Sequence, residues 1–120
     1  MIRASRETYT FETDQGAEKI PLYDILWAED VCEDAQLLIR LHLADRTATC
    51  KNSLDELRSL PGDIFLFCLN RGVVNQLRIR SFQDDRIVMD TGEELPVSPF
   101  FSERFRRKYC GNLAHWVWED

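Results

Sequence analysis

Several things are scarce in this chain, and each absence narrows what it can be. No run approaches the roughly 18 to 20 uncharged apolar residues of a membrane span, and the opening MIRASRETYT has no apolar stretch behind its arginines. Neither a spanning helix nor a signal peptide is expected, and a cytoplasmic location is. Soft metal ligands are few. Cys32, Cys50, Cys68 and Cys110 stand 18, 18 and 42 residues apart, with no C-x-x-C pair and only His42 and His115 beside them. A zinc site is therefore not expected, and Cys50 and Cys68, set in apolar or alternating runs, read as buried free thiols. There is no G-x-S-x-G elbow, H-E-x-x-H helix, phosphate-binding glycine loop or dinucleotide fingerprint, so no catalytic residue and no cofactor is assigned. The acidic pairs Asp84–Asp85 and Glu93–Glu94 read as solvated carboxylates. Basic charge is also short: 15 Lys and Arg against 21 Asp and Glu leave a net charge of -6, which argues against an indiscriminate grip on a polyanion.

What is present suits one independently folding unit. The 120 residues are 44% hydrophobic and 11% aromatic, enough for a core, and one domain over 1–120 is expected. Internal repeats, low-complexity stretches and linkers are lacking. Charge is uneven: residues 1–60 hold 7 basic and 12 acidic groups, whereas 71–108 hold 8 basic and 6 acidic. A polyanion would meet the second half.

Period-two alternation with closely spaced turn signals predicts a mostly β fold with one or two short helices. Tyr9 and Phe11 share a strand face before the turn Asp14-Gln15-Gly16. Pro21 breaks the next strand into a helical turn at Leu22–Asp24, and a strand resumes over Ile25–Glu29. Leu37, Ile39, Leu41 and Leu43 form one strand face, with Arg40 and His42 pointing to solvent, and a returning strand covers 47–51. Ser53 and Glu56 make a capping box for a helix with Leu54, Leu57 and Leu60 buried, stopped by Pro61-Gly62. IFLFCL (64–69) is apolar throughout and reads as the most buried strand. Asp84-Asp85 and Thr91-Gly92 mark hairpin turns. Ser98-Pro99 reads as the entrance of a second helix, carrying the stripe Phe101, Phe105 and Tyr109 and closing at Gly111.

Three stretches taken in order resemble the LytTR family, the DNA-binding output module of bacterial response regulators. IPLYDILWAED (20–30) is similar to the family's opening, through Ile20, Pro21, Leu22, Asp24, Ile25 and Glu29. FLFCLNRGVVN (65–75) resembles its central F-x-R-x-H-R-S-x-x-V-N, through Phe65, Val74 and Asn75. TGEELPVSPFF (91–101) resembles its N-G-x-x-L-P-V-S-R-x-Y close, through Gly92, Leu95, Pro96, Val97 and Ser98. The resemblance covers about 7–109, leaving 110–120 as an extra tail. It implies a LytTR-like elongated arrangement of short antiparallel sheets, standing alone here, whose loops enter DNA grooves. The implied partner is duplex DNA at promoter direct repeats, with a homodimer or a related regulator as further partners and no membrane.

Departures from the family pattern shape the site. Its base-reading His falls on Leu69, the Arg after it on Asn70 and the Arg after V-S on Pro99. Leu69 can touch only a thymine methyl, while Asn70 can pair with adenine. Arg71, a loop arginine between buried stretches, is placed to supply the lost guanidinium, and Arg78, Arg80 and Arg86 are candidate phosphate contacts. A solvated strand face explains Arg78 and Arg80 equally. Arg104, Arg106, Arg107 and Lys108 lie opposite the aromatic stripe, where they also complement a helix dipole. A second reading follows: a degenerate LytTR-like interaction module that has lost DNA binding and modulates a partner regulator. The tail LAHWVWED (113–120) either packs on the domain as an added strand or covers a partner.

Overall fold

The computed structural model describes residues 2–3, 7–60, 62–69, 71–113 and 116–117. Pro61, Asn70, His115 and Trp118 lie outside the described residues, as do the side chains of Leu69, Trp116 and Val117. The strands are β1 (Ile2–Arg3), β2 (Thr8–Thr13), β3 (Gly16–Pro21), β4 (Ile25–Glu33), β5 (Gln36–Leu43), β6 (Thr47–Cys50), β7 (Phe65–Leu69), β8 (Gly72–Asn75), β9 (Ile79–Gln83), β10 (Arg86–Met89), β11 (Glu94–Pro96) and β12 (Trp116–Val117). Helices α1 (Leu54–Arg58) and α2 (Ser102–Leu113) join them, with single 3-10 turns at Leu22–Asp24 and Gln76–Arg78. Seven strands form one antiparallel sheet in the order β3-β2-β6-β5-β4-β8-β7, and a second sheet runs β11-β10-β9. The fold is mostly β, as the alternation predicts.

Two cores explain the one apolar run that does not alternate. Phe65 and Val73 belong to a core with Phe11, Ile25, Ile39, Leu41 and the α1 residues Leu54 and Leu57. Leu66, Cys68 and Val74 belong to another with Leu26, Ile87, Met89, Phe105 and Tyr109. The β4-β8-β7 end of the large sheet is thus the wall between two cores, apolar on both faces. Yet β7 is the last strand of that sheet, so its burial comes from its faces and not from a central position.

Local chemistry sets the element ends. Ser53 Oγ accepts from the Glu56 N–H and Glu56 Oε1 accepts from the Ser53 N–H, both at 3.2 Å, closing the expected capping box. The β9–β10 turn places Asp84 and Asp85 at φ 52° and 58°, and two successive left-handed residues match the right-handed twist of a two-residue hairpin. Four expectations change. The strand expected over Ile25–Glu29 continues to Glu33. His42 does not face open solvent: its ring stacks on Trp27 at 4.3 Å and 12°, and Nε2 meets the Glu29 carboxylate. Helix α2 starts at Ser102 because Ser98 to Phe101 form a separate turn, the Phe101 N–H donating to Ser98 O at 2.9 Å. Gly111 lies within α2 and does not end it. The tail forms an added strand, with Trp116 and Val117 pairing parallel to Ile2 and Arg3.

Candidate nucleic-acid interface

Strand direction sorts the candidate residues into two ends. β7 runs toward the turn at Arg71, and β10 leaves the Asp84-Asp85 turn at Arg86. Cross-links tie these turns together: the Ser98 N–H donates to Cys68 O at 2.7 Å, and the Val97 N–H to Asp85 O at 2.8 Å. Ser102 Oγ meets the Asp85 carboxylate, and Arg106 lies 3.6 Å from it. The second and third matching stretches therefore converge with the β9–β10 turn at one end of the molecule.

Arg71 and Arg86 lie at this end, and both are exposed. Among the described residues neither makes an ion pair. The Arg71 carbonyl accepts from the Asp30 N–H at 2.9 Å, which fixes the turn backbone. Arg86 pairs across strands with Gln83 and Pro96, on the sheet face opposite Phe82, Ile87 and Leu95. Arg80 is also exposed, at the irregular step in β9 where the register with β10 shifts.

Arg78 is placed differently. It closes the 3-10 turn at the far end of β9, and strand rise puts Asp90 roughly 13 Å along β10 from Arg86. Its Nε donates to Asp90 Oδ2 at 2.6 Å, Nη1 donates to Tyr23 O at 2.7 Å, and the guanidinium lies 4.5 Å from the Tyr23 ring centre. Burial works against its charge, but the Asp90 carboxylate, Tyr23 and Asp24 together outweigh that and leave its pKa raised. Only 12% of the side chain is exposed, so it does not sit on a solvated strand face. The backbone links set Arg71 and Arg86 at the same end of the molecule and Arg78 apart from them.

Other residues hold this arrangement in ways the sequence pattern did not reveal. Asn75 is fully buried: Nδ2 donates to Leu22 O at 3.2 Å and Ile25 O at 2.9 Å, and Oδ1 accepts from the Leu77 N–H at 2.9 Å. It joins the first matching stretch to the second. Gln76 is also buried, its Nε2 donating to Asp63 O. Pro99 and Phe100 are exposed beside the Cys68–Ser98 link, and Phe100 is 82% exposed. The same end carries the carboxylates Asp30, Asp84 and Asp85, so its charge is mixed.

No model of a protein family matches the chain, and no curated protein matches it significantly. Among solved structures, the LytTr DNA-binding domain of a Bacillus cereus protein described as a methyl-accepting/DNA response regulator superposes with a TM-score of 0.69. The match has 28% identity and covers 89% of this chain and 99% of that one.

Proposed function

We propose that this chain is a bacterial transcription-regulator domain that binds duplex DNA, in the cytoplasm, through the end formed by the turn at Arg71, the 84–86 turn and residues 97–102. The observation that carries this reading is the likeness, over nearly the whole chain, to a LytTr DNA-binding domain. Convergence of the motif-bearing turns around exposed Arg71 and Arg86, which make no ion pair among the described residues, supports it. In this reading Arg71, Arg80 and Arg86 contact phosphates, and Leu69 and Asn70 are the positions that the family resemblance assigns to base reading. Arg78 holds the scaffold and does not touch DNA.

The test is an anisotropy titration with promoter fragments from the chain's own operon and its neighbours, repeated across a salt series. Binding should weaken steeply with salt, because each phosphate contact releases counterions. Arg71→Ala and Arg86→Ala should lose affinity, while Lys19→Ala, on the opposite edge strand β3, should not. Absent or salt-insensitive binding counts against the reading. Asp30, Asp84 and Asp85 beside the exposed Phe100 favour the second reading, a protein-interaction module that modulates a related regulator. That reading predicts no DNA complex in the titration.

A further inference from the structure

The hairpin of β4 and β5 outgrows its sheet. β4 pairs with β8 only through Glu29, and β5 pairs with β6 only from Ile39. Residues 31–33 and 36–38 therefore form a two-stranded arm with neither outer edge paired among the described residues. Such ribbons are marginal alone, and bare edges invite another strand. The arm carries Leu37, 64% exposed where the core face of β5 runs past the core. Asp30 and Asp34 flank it and make no ion pair among the described residues, whereas Glu33 is engaged by Arg40 at 3.0 Å.

The complementary feature lies at the opposite margin of the same sheet end. The Gln76 N–H donates to Ile64 O at 2.9 Å, and the antiparallel alternation then turns the N–H and C=O of Phe65 and Phe67 outward from β8. Phe65 is 1% exposed and Cys68, bonded to Ser98, is buried, so among the described residues this edge is open only at half-buried Phe67. Between α1 and α2 the edge opens into a cleft of about 110 Å³ floored by Phe65, Phe67 and Phe101. Arg58, Arg104 and Lys108 form its rim, against the single carboxylate Asp63. Arg104 and Lys108 make no ion pair among the described residues, and Arg58 has only Asp55 at 3.8 Å.

We propose that the arm of one copy of this chain docks in the β7 cleft of a second copy, placing Leu37 among the phenylalanines and Asp30 and Asp34 against Arg104 and Lys108. The cleft has room for one branched side chain, since a cavity of about 150 Å³ accepts a benzene ring. Arm and cleft match in apolar character and charge, and they occur in one sequence, which is what a contact between unlike patches of identical chains requires. An arm cannot serve its own cleft, because β8 and β7 stand between them. The contact is small, so association is weak. It does not depend on the DNA-binding reading and is tested without DNA.

Sedimentation across a concentration series, on the full chain, is the experiment. The wild type should self-associate, and Leu37→Asp in the arm or Arg104→Glu on the rim should each weaken association about tenfold or more. The two variants mixed should recover one contact, because the first keeps an intact cleft and the second an intact arm, giving a one-to-one dimer that neither forms alone. Both positions are on the surface, and circular dichroism should show both variants folded. A wild type that stays monomeric up to about 1 mM, near the weakest specific association, overturns the proposal. So does unchanged association in both single variants, or a mixture that stays monomeric.

Discussion

At the scale of single residues, the polar groups that matter most to the fold act through contacts that no local pattern shows. Asn75 is one of the residues that carry the family resemblance, yet nothing in its stretch shows that its amide satisfies two carbonyls of the Leu22–Ile25 corner and one N–H of the following turn. Asn75→Ala should cost roughly 2 to 3 kcal/mol in urea denaturation, because buried partners are left unsatisfied. Arg78 was legible as a cation but not as a buried one: its partners Tyr23 and Asp90 are distant in sequence, and only the folded corner brings them together. The cysteines were more readable, since a thiol within an apolar run has nowhere to go but the core. Burial pushes the Cys50 thiol up to about 11, Cys68 is buried, and Cys32 and Cys110 are exposed. A thiol reagent at neutral pH should therefore modify two cysteines of the native chain quickly and the other two only on unfolding.

At the scale of elements, what could be read was what depends on neighbours in sequence. The capping box, the Pro21 break and the hairpin turns are local, and they fall where the residues place them. The start of α2 was misplaced because Ser98-Pro99 makes a good helix entrance in isolation, whereas Ser98 is drawn into pairing with Cys68 and Phe101 stacks on Phe67 at 5.8 Å. At the α1 cap, Asn52 and Tyr9 both donate to Glu56, at 2.9 Å. The Asn52 bond leads in holding the Glu56 pKa down, opposed by partial burial. A depressed folded-state pKa means this contribution is present above the unfolded carboxylate value of about 4.3 and is lost as pH falls through the folded value. Thermal melts of Glu56→Gln should accordingly lose part of the wild type's acid sensitivity below about pH 4.3. In the arm, Ala35 sits at φ 61° in its turn, a conformation costing a non-glycine residue about 1 to 2 kcal/mol. Ala35→Gly should stabilise the chain by up to about 1 kcal/mol, after glycine's larger entropy loss is subtracted.

At the scale of the whole molecule, charge divides along the same line as the two sheet ends. The acidic excess of residues 1–60 lies largely on the seven-stranded sheet and its arm, while the cations of 71–108 gather on the β9–β10 sheet and α2. Sequence counting gave that asymmetry, but not which cations stay unpaired: among the described residues Arg78, Arg106 and Arg107 each meet a carboxylate, whereas Arg71, Arg80 and Arg86 do not. This difference makes the proposed DNA contact quantitative. Three phosphate contacts give a slope of about -2.7 in log affinity against log salt, so affinity should fall about 40-fold between 50 and 200 mM salt. Arg71→Ala should flatten the slope by about 0.9 and weaken every DNA sequence alike, as expected of a phosphate contact. Arg78→Ala should leave the slope unchanged and instead lower the melting temperature, because its loss leaves the Tyr23 carbonyl unpaired. If Arg78→Ala flattens the slope as much as Arg71→Ala, the assignment of Arg78 to the scaffold is wrong, and the interface extends across the far end of β9.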